Sequence, residues 1–226
     1  THKYIIPFLK PGITTKEIDS LARDYIIKRG ATPSCYNYNG YPGNICISIN
    51  DEVVHGIAGS RKLCDGDIVT LDICACYKGY HGDSAWTYAV GKIAPDVEKL
   101  LKVTEESLFA GIEKMRPGNV LDDISGAIED VANREKMGIV RQYGGHGVGR
   151  AMHEDPFLFN YRVGDKTPIK SGMVIAIEPM LNLGCDEVHT LADEWTVVTD
   201  DKKPSAHFEH TVLASEDGPL ILTELL

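Results

Sequence analysis

The stretch DGDIVTLDI, residues 65–73, decides the fold because a similar stretch, SGMVIAIEP, occurs at residues 171–179. Asp72 of the first stretch corresponds to Glu178 of the second, 106 residues later. Each acid follows a short run of β-branched and apolar residues that is typical of a buried strand. The match predicts two equivalent strands that each carry one carboxylate.

A second match has the same offset. KPGITTKEID at residues 10–19 resembles RPGNVLDDIS at residues 116–125. Two separate matches at one offset indicate a duplicated half-unit. No linker-like or low-complexity stretch divides the chain. We therefore expect a single catalytic α+β domain over residues 1–226, with halves of roughly 1–106 and 107–226.

Helices and strands alternate in both halves. Thr14 and Glu17 have the spacing of a capping box, and the helix that follows is expected to end near Gly30. A second helix is predicted from Pro95 to about Met115, and a third after the Pro-Gly pair at 117–118. Strands are predicted at 67–77, 173–181, 194–199 and 207–215.

Composition excludes several classes of partner. The net charge is −10 and the pI is about 5.2, so nucleic acid and anionic membranes suit this surface poorly. No apolar run approaches the ~18 residues of a membrane span. Six cysteines are too sparse for a disulfide scaffold, which favours reduced thiols and a cytoplasmic location.

Four carboxylates occupy positions that strands normally reserve for apolar side chains. Asp72, Glu178 and Glu209 lie in apolar runs, and Asp83 follows Asp72 by the length of a strand and a turn. His146 is flanked by glycines in YGGHGVGRAMHEDP. Any one of these could be a satisfied structural residue. Together they need a common counter-charge, because a buried unpaired carboxylate costs several kcal/mol.

Two divalent cations would neutralise four carboxylates. Oxygen ligands with one imidazole suit Mn²⁺, Fe²⁺ or Co²⁺, and Zn²⁺ less selectively. Two such ions can share a bridging hydroxide, which becomes a nucleophile near neutral pH. The expected chemistry is hydrolysis at a carbonyl.

Five motifs in order closely resemble the type I methionine aminopeptidases, which have the pita-bread fold. They are NDEVVHGI (50–57), LDICACYKGYHGD (71–83), GGHGVGRAMHEDP (144–156), IEPM (177–180) and FEHT (208–211). The resemblance covers essentially the whole chain. It implies pseudo-twofold half-units with a central antiparallel sheet covered by helices. It also implies removal of the N-terminal methionine from nascent polypeptides with a small second residue.

The resemblance also assigns the metal ligands. Asp83 and Glu209 match the residues that bridge both ions, and Asp72 matches a ligand of one ion. His146 and Glu178 match the ligands of the other ion. Glu178 also resembles the residue that carries the proton of the attacking water.

Two further histidines receive catalytic roles by resemblance. His153 matches a residue that contacts the scissile amide and stabilises the oxyanion, and His55 matches one that contacts the substrate backbone or the departing amine. The remaining histidines of the second half and the hairpin match no such role and are taken as structural: His81, His189, His207 and His210.

The resemblance places a group of apolar and sulfur-containing residues around the methionine side chain: Cys35, Tyr38, Tyr41, Cys46, Met152 and Trp195. Such a polarizable lining suits a thioether. From the residues alone, the stretch 35–46 is equally compatible with a loop packed by its own aromatic side chains.

The interval of 31 residues between Glu178 and Glu209 has no room for the insertion of type II enzymes, which favours type I and a bacterial or organellar setting. The helix that usually precedes residue 10 is missing, so a shortened N-terminal lobe is expected. We expect a monomer that acts on nascent chains near the ribosome. The alternatives are a proline-specific aminopeptidase or prolidase-like enzyme and a non-catalytic pita-bread binding protein.

Overall fold

The computed structural model describes residues 1–224. Its helices are α1 (His2–Ile5), α2 (Thr15–Lys28), α3 (Pro95–Ile112) and α4 (Leu121–Glu135). Its strands are β1 (Thr32–Pro33), β2 (Cys46–Ile49), β3 (Glu52–Val54), β4 (Ile68–Tyr77), β5 (Tyr80–Ala89), β6 (Gly138–Ile139), β7 (Gly145–Gly147), β8 (Glu154–Leu158), β9 (Val174–Ile177), β10 (Met180–Asn182), β11 (Val188–Thr190), β12 (Val197–Thr199), β13 (Ser205–His207), β14 (His210–Ser215) and β15 (Gly218–Ile221).

The two halves contain equivalent elements at the predicted offset. Gly12 and Gly118 adopt φ angles of +99° and +96°, which glycine tolerates best, directly before α2 and α4. An isolated antiparallel bridge joins Thr14 to Lys62 in the first half, and the residues 106 positions later form the corresponding bridge. The duplicated half-unit predicted from sequence is therefore confirmed.

The two equivalent helices begin differently. Thr14 accepts a hydrogen bond from Glu17 N at 3.2 Å, and the Glu17 carboxylate accepts one from Thr14 N at 2.8 Å. At the start of α4, Asp123 accepts from Val120 N at 2.8 Å. A valine side chain offers no acceptor, so α4 has only half of the capping box.

Two larger antiparallel sheets form the framework. In the first half β4 pairs with β5 along its whole length and with β1 and β2 along its other edge, and in the second half the order is β15-β14-β9-β7-β8. Smaller three-stranded sheets are β13-β10-β6 and β11-β12-β3. Helices α1 and α2 share a core with the first large sheet, and α3 and α4 share another with the second.

The two larger sheets meet where the acids lie. Thr211 in β14 donates its hydroxyl to Asp83 O at 2.8 Å and accepts from Asp83 N at 2.9 Å. Glu209 N donates to Ala85 O at 2.8 Å. These bonds join β5 of the first half to the second half, and we call this junction the seam.

Three predicted strands are shorter than the sequence pattern indicated. The run 173–181 is interrupted after Ile177, where Pro179 supplies no N–H for a ladder. The run 207–215 is interrupted at Phe208 and Glu209. The run 194–199 pairs only from Val197, because the Asp193 carboxylate accepts hydrogen bonds from the backbone N–H groups of Trp195 and Thr196 and holds a turn there.

Candidate metal centre and substrate pocket

The register of the β4–β5 hairpin places two of the acids on one face. Asp72 lies opposite Ala85, and Cys74 lies opposite Asp83. Side chains of opposed residues point to the same side of a sheet, as do residues two apart on one strand. Asp72 and Asp83 are therefore diagonal neighbours on the face that borders the seam.

The second half supplies the other three predicted ligands. His146 in β7 lies opposite Ala176 in β9, and Glu178 follows on the same face two residues later. His210 in β14 pairs with Ile177 in β9, so Glu209 and Glu178 face each other where this ladder stops. Both glutamates lie at strand interruptions.

These five side chains converge across the seam. The ligand atoms of Asp83, His146 and Glu209 all lie within 4.8 Å of one another. His146 Nε2 is 3.5 Å from Glu178 Oε1. Asp72 and Glu178 line the same cavity as the other three. The structure thus brings together every residue that the sequence predicted as a metal ligand.

The glycines around His146 serve close packing of backbones. A Cβ at Gly145 would lie 2.1 Å from Ala176 O, and a Cβ at Gly147 would lie 2.3 Å from Asp155 O. No larger residue fits between β8 and β9 at these positions without moving a strand. The glycine-rich run therefore allows β7 to lie between β8 and β9, and this position brings His146 to the acids.

The donor set fits cations. His146 Nδ1 donates to Gly147 O at 2.9 Å, which leaves Nε2, 3.5 Å from Glu178 Oε1, as the ring nitrogen that can bind a metal ion. Within residues 1–224, the buried Glu209 Oε1 has no hydrogen-bond partner. A buried carboxylate oxygen without a hydrogen-bond partner is stabilised by a cation beside it. This arrangement suits divalent metal ions with oxygen ligands and one imidazole.

The electrostatics of the acids point the same way. Burial, followed by repulsion from Asp83, raises the pKa of Asp72 well above its usual range. Burial and repulsion from Asp72 do the same to Glu178. Burial and repulsion from Asp83 do so to Glu209. Burial raises the pKa of Asp83, although His146 opposes the shift. A bound cation would reverse these shifts and keep the carboxylates ionised.

Above the acids lies a cavity of about 950 Å³. Its lining includes all six residues that were predicted to surround the methionine side chain: Cys35, Tyr38, Tyr41, Cys46, Met152 and Trp195. Five of them also pack in one apolar cluster together with Cys74 and Ile57. The volume lies in the range of small-molecule sites, and the lining offers soft sulfur and aromatic surface.

The pocket wall is held by one contact within the first half and one between the two halves. Tyr41 is almost fully buried and donates its hydroxyl to Gly56 O at 2.7 Å. Its ring packs edge-on against Trp195 at a centroid distance of 5.1 Å. Tyr41 therefore cannot turn out of the pocket without breaking a buried hydrogen bond.

The two predicted catalytic histidines flank the cavity. The ring of His153 lies at the mouth, 4.3 Å from the ring of His146. Desolvation and the neighbouring His146 lower the pKa of His153, so the ring is neutral at pH 7. His55, with φ of +61°, packs edge-on against Tyr143 at 5.4 Å. Burial lowers the pKa of His55 as well.

His207 lies closer to the candidate metal ligands than the sequence suggested. Its Nε2 is 3.6 Å from Glu178 Oε2, and within residues 1–224 neither ring nitrogen has a hydrogen-bond partner. Burial lowers the pKa of His207 to about 3. The signal was its position two residues before Glu209. The other histidines taken as structural bond elsewhere: His81 to Ser34, His189 to Asp200 and His210 to Thr223.

The family model for metallopeptidase family M24 matches residues 1–216 of this chain. The chain is 54% identical over 226 residues to "Methionine aminopeptidase 1" of Bacillus subtilis, covering 100% of this chain and 91% of the relative. The crystal structure of methionine aminopeptidase from Rickettsia prowazekii superposes with a TM-score of 0.97 at 39% identity, covering 99% and 91%. Prolidase from Pyrococcus furiosus shares the fold, with a TM-score of 0.81 at 23% identity over 100% of this chain and 60% of that one.

Proposed function

The chain belongs to metallopeptidase family M24, and within it to the methionine aminopeptidases, and from this membership we propose how its residues release an N-terminal methionine. The observation that carries the proposal is one cavity with two kinds of wall. Asp83, His146 and Glu209 converge at its base, and a cluster of sulfur-containing and aromatic side chains lines its side. The ligand cluster at the bottom of the cavity suits metal-dependent hydrolysis, and the sulfur-containing and aromatic wall suits a thioether side chain.

Five residues would hold two divalent metal ions, which we expect to be Mn²⁺, Fe²⁺ or Co²⁺, with Zn²⁺ as a weaker fit. Asp83 and Glu209 would bridge both ions, Asp72 would bind one, and His146 and Glu178 would bind the other. When bound, the ions lower the pKa of a water molecule and polarise the scissile carbonyl.

The protein's own groups then orient the substrate and move protons. The methionine side chain enters between Tyr41, Met152 and Trp195. The ring of His153 donates a hydrogen bond to the scissile carbonyl oxygen, where negative charge develops. Glu178 takes the proton of the attacking water and passes it to the departing amine, which His55 contacts.

We further propose that the second substrate residue must be small, with Gly, Ala, Ser, Thr, Pro, Val and Cys accepted. The scissile carbonyl must closely approach the metal ions that the residues at the bottom of the cavity would hold. A bulky second side chain would meet the cavity wall before the carbonyl arrived there.

The whole chain acts as one catalytic domain in this proposal, with halves of roughly 1–106 and 107–226 that meet at the seam. Its partners are the N-termini of nascent polypeptides near the ribosome, and it works as a cytoplasmic monomer. The six free cysteines suit that compartment. Within residues 1–224, no helix is long and apolar enough to cross a membrane.

Peptide hydrolysis tests the proposal. Metal-stripped protein is reconstituted with Mn²⁺ or Co²⁺ and offered Met-Ala-Ser, Met-Phe-Ser and Ala-Pro, alongside the Glu178→Ala variant. We expect metal-dependent release of methionine from Met-Ala-Ser only, and none in the variant. Cleavage of Ala-Pro alone would assign the chain to the proline-specific enzymes. Metal binding without any hydrolysis would favour a binding protein.

A further inference from the structure

One hydrogen bond links the methionine pocket to a catalytic histidine. The hydroxyl of Tyr38 lies 2.8 Å from Nδ1 of His153, and the two ring centroids are 5.2 Å apart. The contact joins residues that are 115 positions apart in sequence. Within residues 1–224 no other hydrogen bond to this ring is present. We propose that Tyr38 is a positioning residue that selects the tautomer and the orientation of His153.

The direction of this hydrogen bond and the tautomer of His153 determine each other. A neutral imidazole has one nitrogen that donates and one that accepts. If the phenol of Tyr38 donates to Nδ1, the ring proton of His153 resides on Nε2, the nitrogen left free for the substrate. In the opposite tautomer Nε2 would present a lone pair and would repel a carbonyl oxygen. This inference rests on the proposed function, in which His153 donates to the scissile carbonyl.

The local sequence YNYNGY builds the loop that makes this contact. Asn37 and Asn39, on either side of Tyr38, adopt left-handed φ angles of +61° and +50°. Asparagine tolerates this region better than most residues. Tyr38 N donates to Cys35 O at 3.0 Å, and Tyr41 N donates to Tyr38 O at 2.9 Å. The loop therefore bends twice and presents Tyr38 at the cavity mouth.

The ring and the hydroxyl of Tyr38 therefore have separate roles. Its ring lines the cavity that would receive the methionine side chain, while its hydroxyl holds His153. A methionine packed against the ring restricts the tyrosine to this rotamer and keeps the hydroxyl on Nδ1. Recognition of the side chain is thereby coupled to the orientation of the group that contacts the scissile bond.

Removing one oxygen atom tests the inference. Tyr38→Phe keeps the ring and, for release of methionine from Met-Ala-Ser, should lower kcat by about tenfold, the lower end of what partners that orient a histidine contribute. KM should change by less than about twofold, since the apolar surface of the pocket is retained. The matched control is Tyr36→Phe, because Tyr36 is 63% exposed and does not line the cavity. It should leave both constants unchanged.

The tautomer itself is measured by ¹⁵N NMR of the imidazole rings, with His153 identified by the signals lost in His153→Gln. Wild-type protein and Tyr36→Phe should show the Nε2–H tautomer, and Tyr38→Phe should show a mixture. A wild-type Nδ1–H tautomer, or an unchanged tautomer or kcat in Tyr38→Phe, overturns the inference. If wild-type protein releases no methionine with any metal, the proposed function fails, whereas the NMR comparison still decides the tautomer.

Discussion

The two halves of the molecule share a framework but contribute different chemistry. Each half has a glycine turn, a helix and a strand at equivalent positions. In the first half, Asp72 and Asp83 lie within the long strands β4 and β5. In the second half, Glu178 and Glu209 lie where strands are interrupted. Duplication thus accounts for the convergence of acids at the seam, but their exact placement differs between the halves.

The loops and short strands differ even more. The first half contributes Tyr38 and Tyr41 to the pocket wall, whereas the second half contributes His146 and His153. Contacts such as the Tyr38–His153 hydrogen bond then join the two contributions. A symmetric framework can therefore hold an asymmetric site when the symmetry is kept in the sheets and lost in the connections.

Asp72 and Glu178 are equivalent in the repeat, but replacing them should lower activity to different extents. Glu178→Gln should lower kcat/KM for Met-Ala-Ser by about 10³-fold, because it loses a ligand and the proton carrier together. Asp72→Asn loses only a ligand, so excess Mn²⁺ should restore a part of its activity. Steady-state kinetics across a Mn²⁺ titration measure both. Equal recovery of the two variants would remove the distinction between the halves.

Bound metal should increase the free energy of unfolding of the protein, because it would neutralise the buried acids at the seam. At a Mn²⁺ concentration 100 times Kd, the free energy of unfolding should rise by about 2.7 kcal/mol. Without metal, the raised pKa values of Asp72, Glu178 and Glu209 mean that the folded state binds protons more tightly than the unfolded chain does. Stability should therefore fall as pH rises through those raised values.

Buried histidines with lowered pKa values act in the opposite direction, because they favour unfolding as pH falls. Their effect ends above about pH 6.5, the usual pKa of histidine in an unfolded chain. Above that pH the histidines no longer oppose the buried carboxylates, which can then only lower the stability of the metal-free protein as pH rises, and Mn²⁺ should reduce this effect. Urea unfolding at several pH values provides the measurement. A metal-free protein that gains stability from pH 6.5 to pH 8 would contradict the account.

Two buried histidines of the second half offer a sharper comparison. His207 has no hydrogen-bond partner within the described residues, whereas His210 Nδ1 is 2.9 Å from the Thr223 hydroxyl. Replacing His207 with leucine removes unpaired polar atoms and should stabilise the metal-free protein by about 1 kcal/mol, or ~2–4 °C in Tm. His210→Leu should lower Tm because it removes the hydrogen bond between His210 and the Thr223 hydroxyl, which then keeps only the bond from Thr211 N. If calorimetry gave His207→Leu a lower Tm than His210→Leu, the ring nitrogens of His207 would have to be hydrogen-bonded in the folded protein.

The smallest effect distinguishes the equivalent helix starts. Thr14→Ala removes an N-cap acceptor and should cost about 1 kcal/mol, whereas Val120→Ala removes none and should cost less. Val120→Thr should stabilise α4 by completing its capping box. Denaturant unfolding of the three variants makes the comparison. A loss in Val120→Ala as large as in Thr14→Ala would mean that packing decides both positions.

Much of the site could be predicted from particular residues. The repeat located Asp72 and Glu178, and five ordered motifs identified all the candidate ligands. The strand interruptions were not predicted, because periodicity reports apolar content and not where a ladder stops. The Tyr38–His153 contact and the position of His207 also escaped prediction. Both depend on tertiary contacts that no local pattern encodes.

The most direct test of the account is an anomalous diffraction map of crystals loaded with Mn²⁺. We predict two peaks in the cavity, both adjoining Asp83 and Glu209, with Asp72 on one ion and His146 and Glu178 on the other. Ligands would then come from both halves of the chain. No peak in the cavity, or an ion held by residues of one half alone, would contradict a metal centre built at the seam.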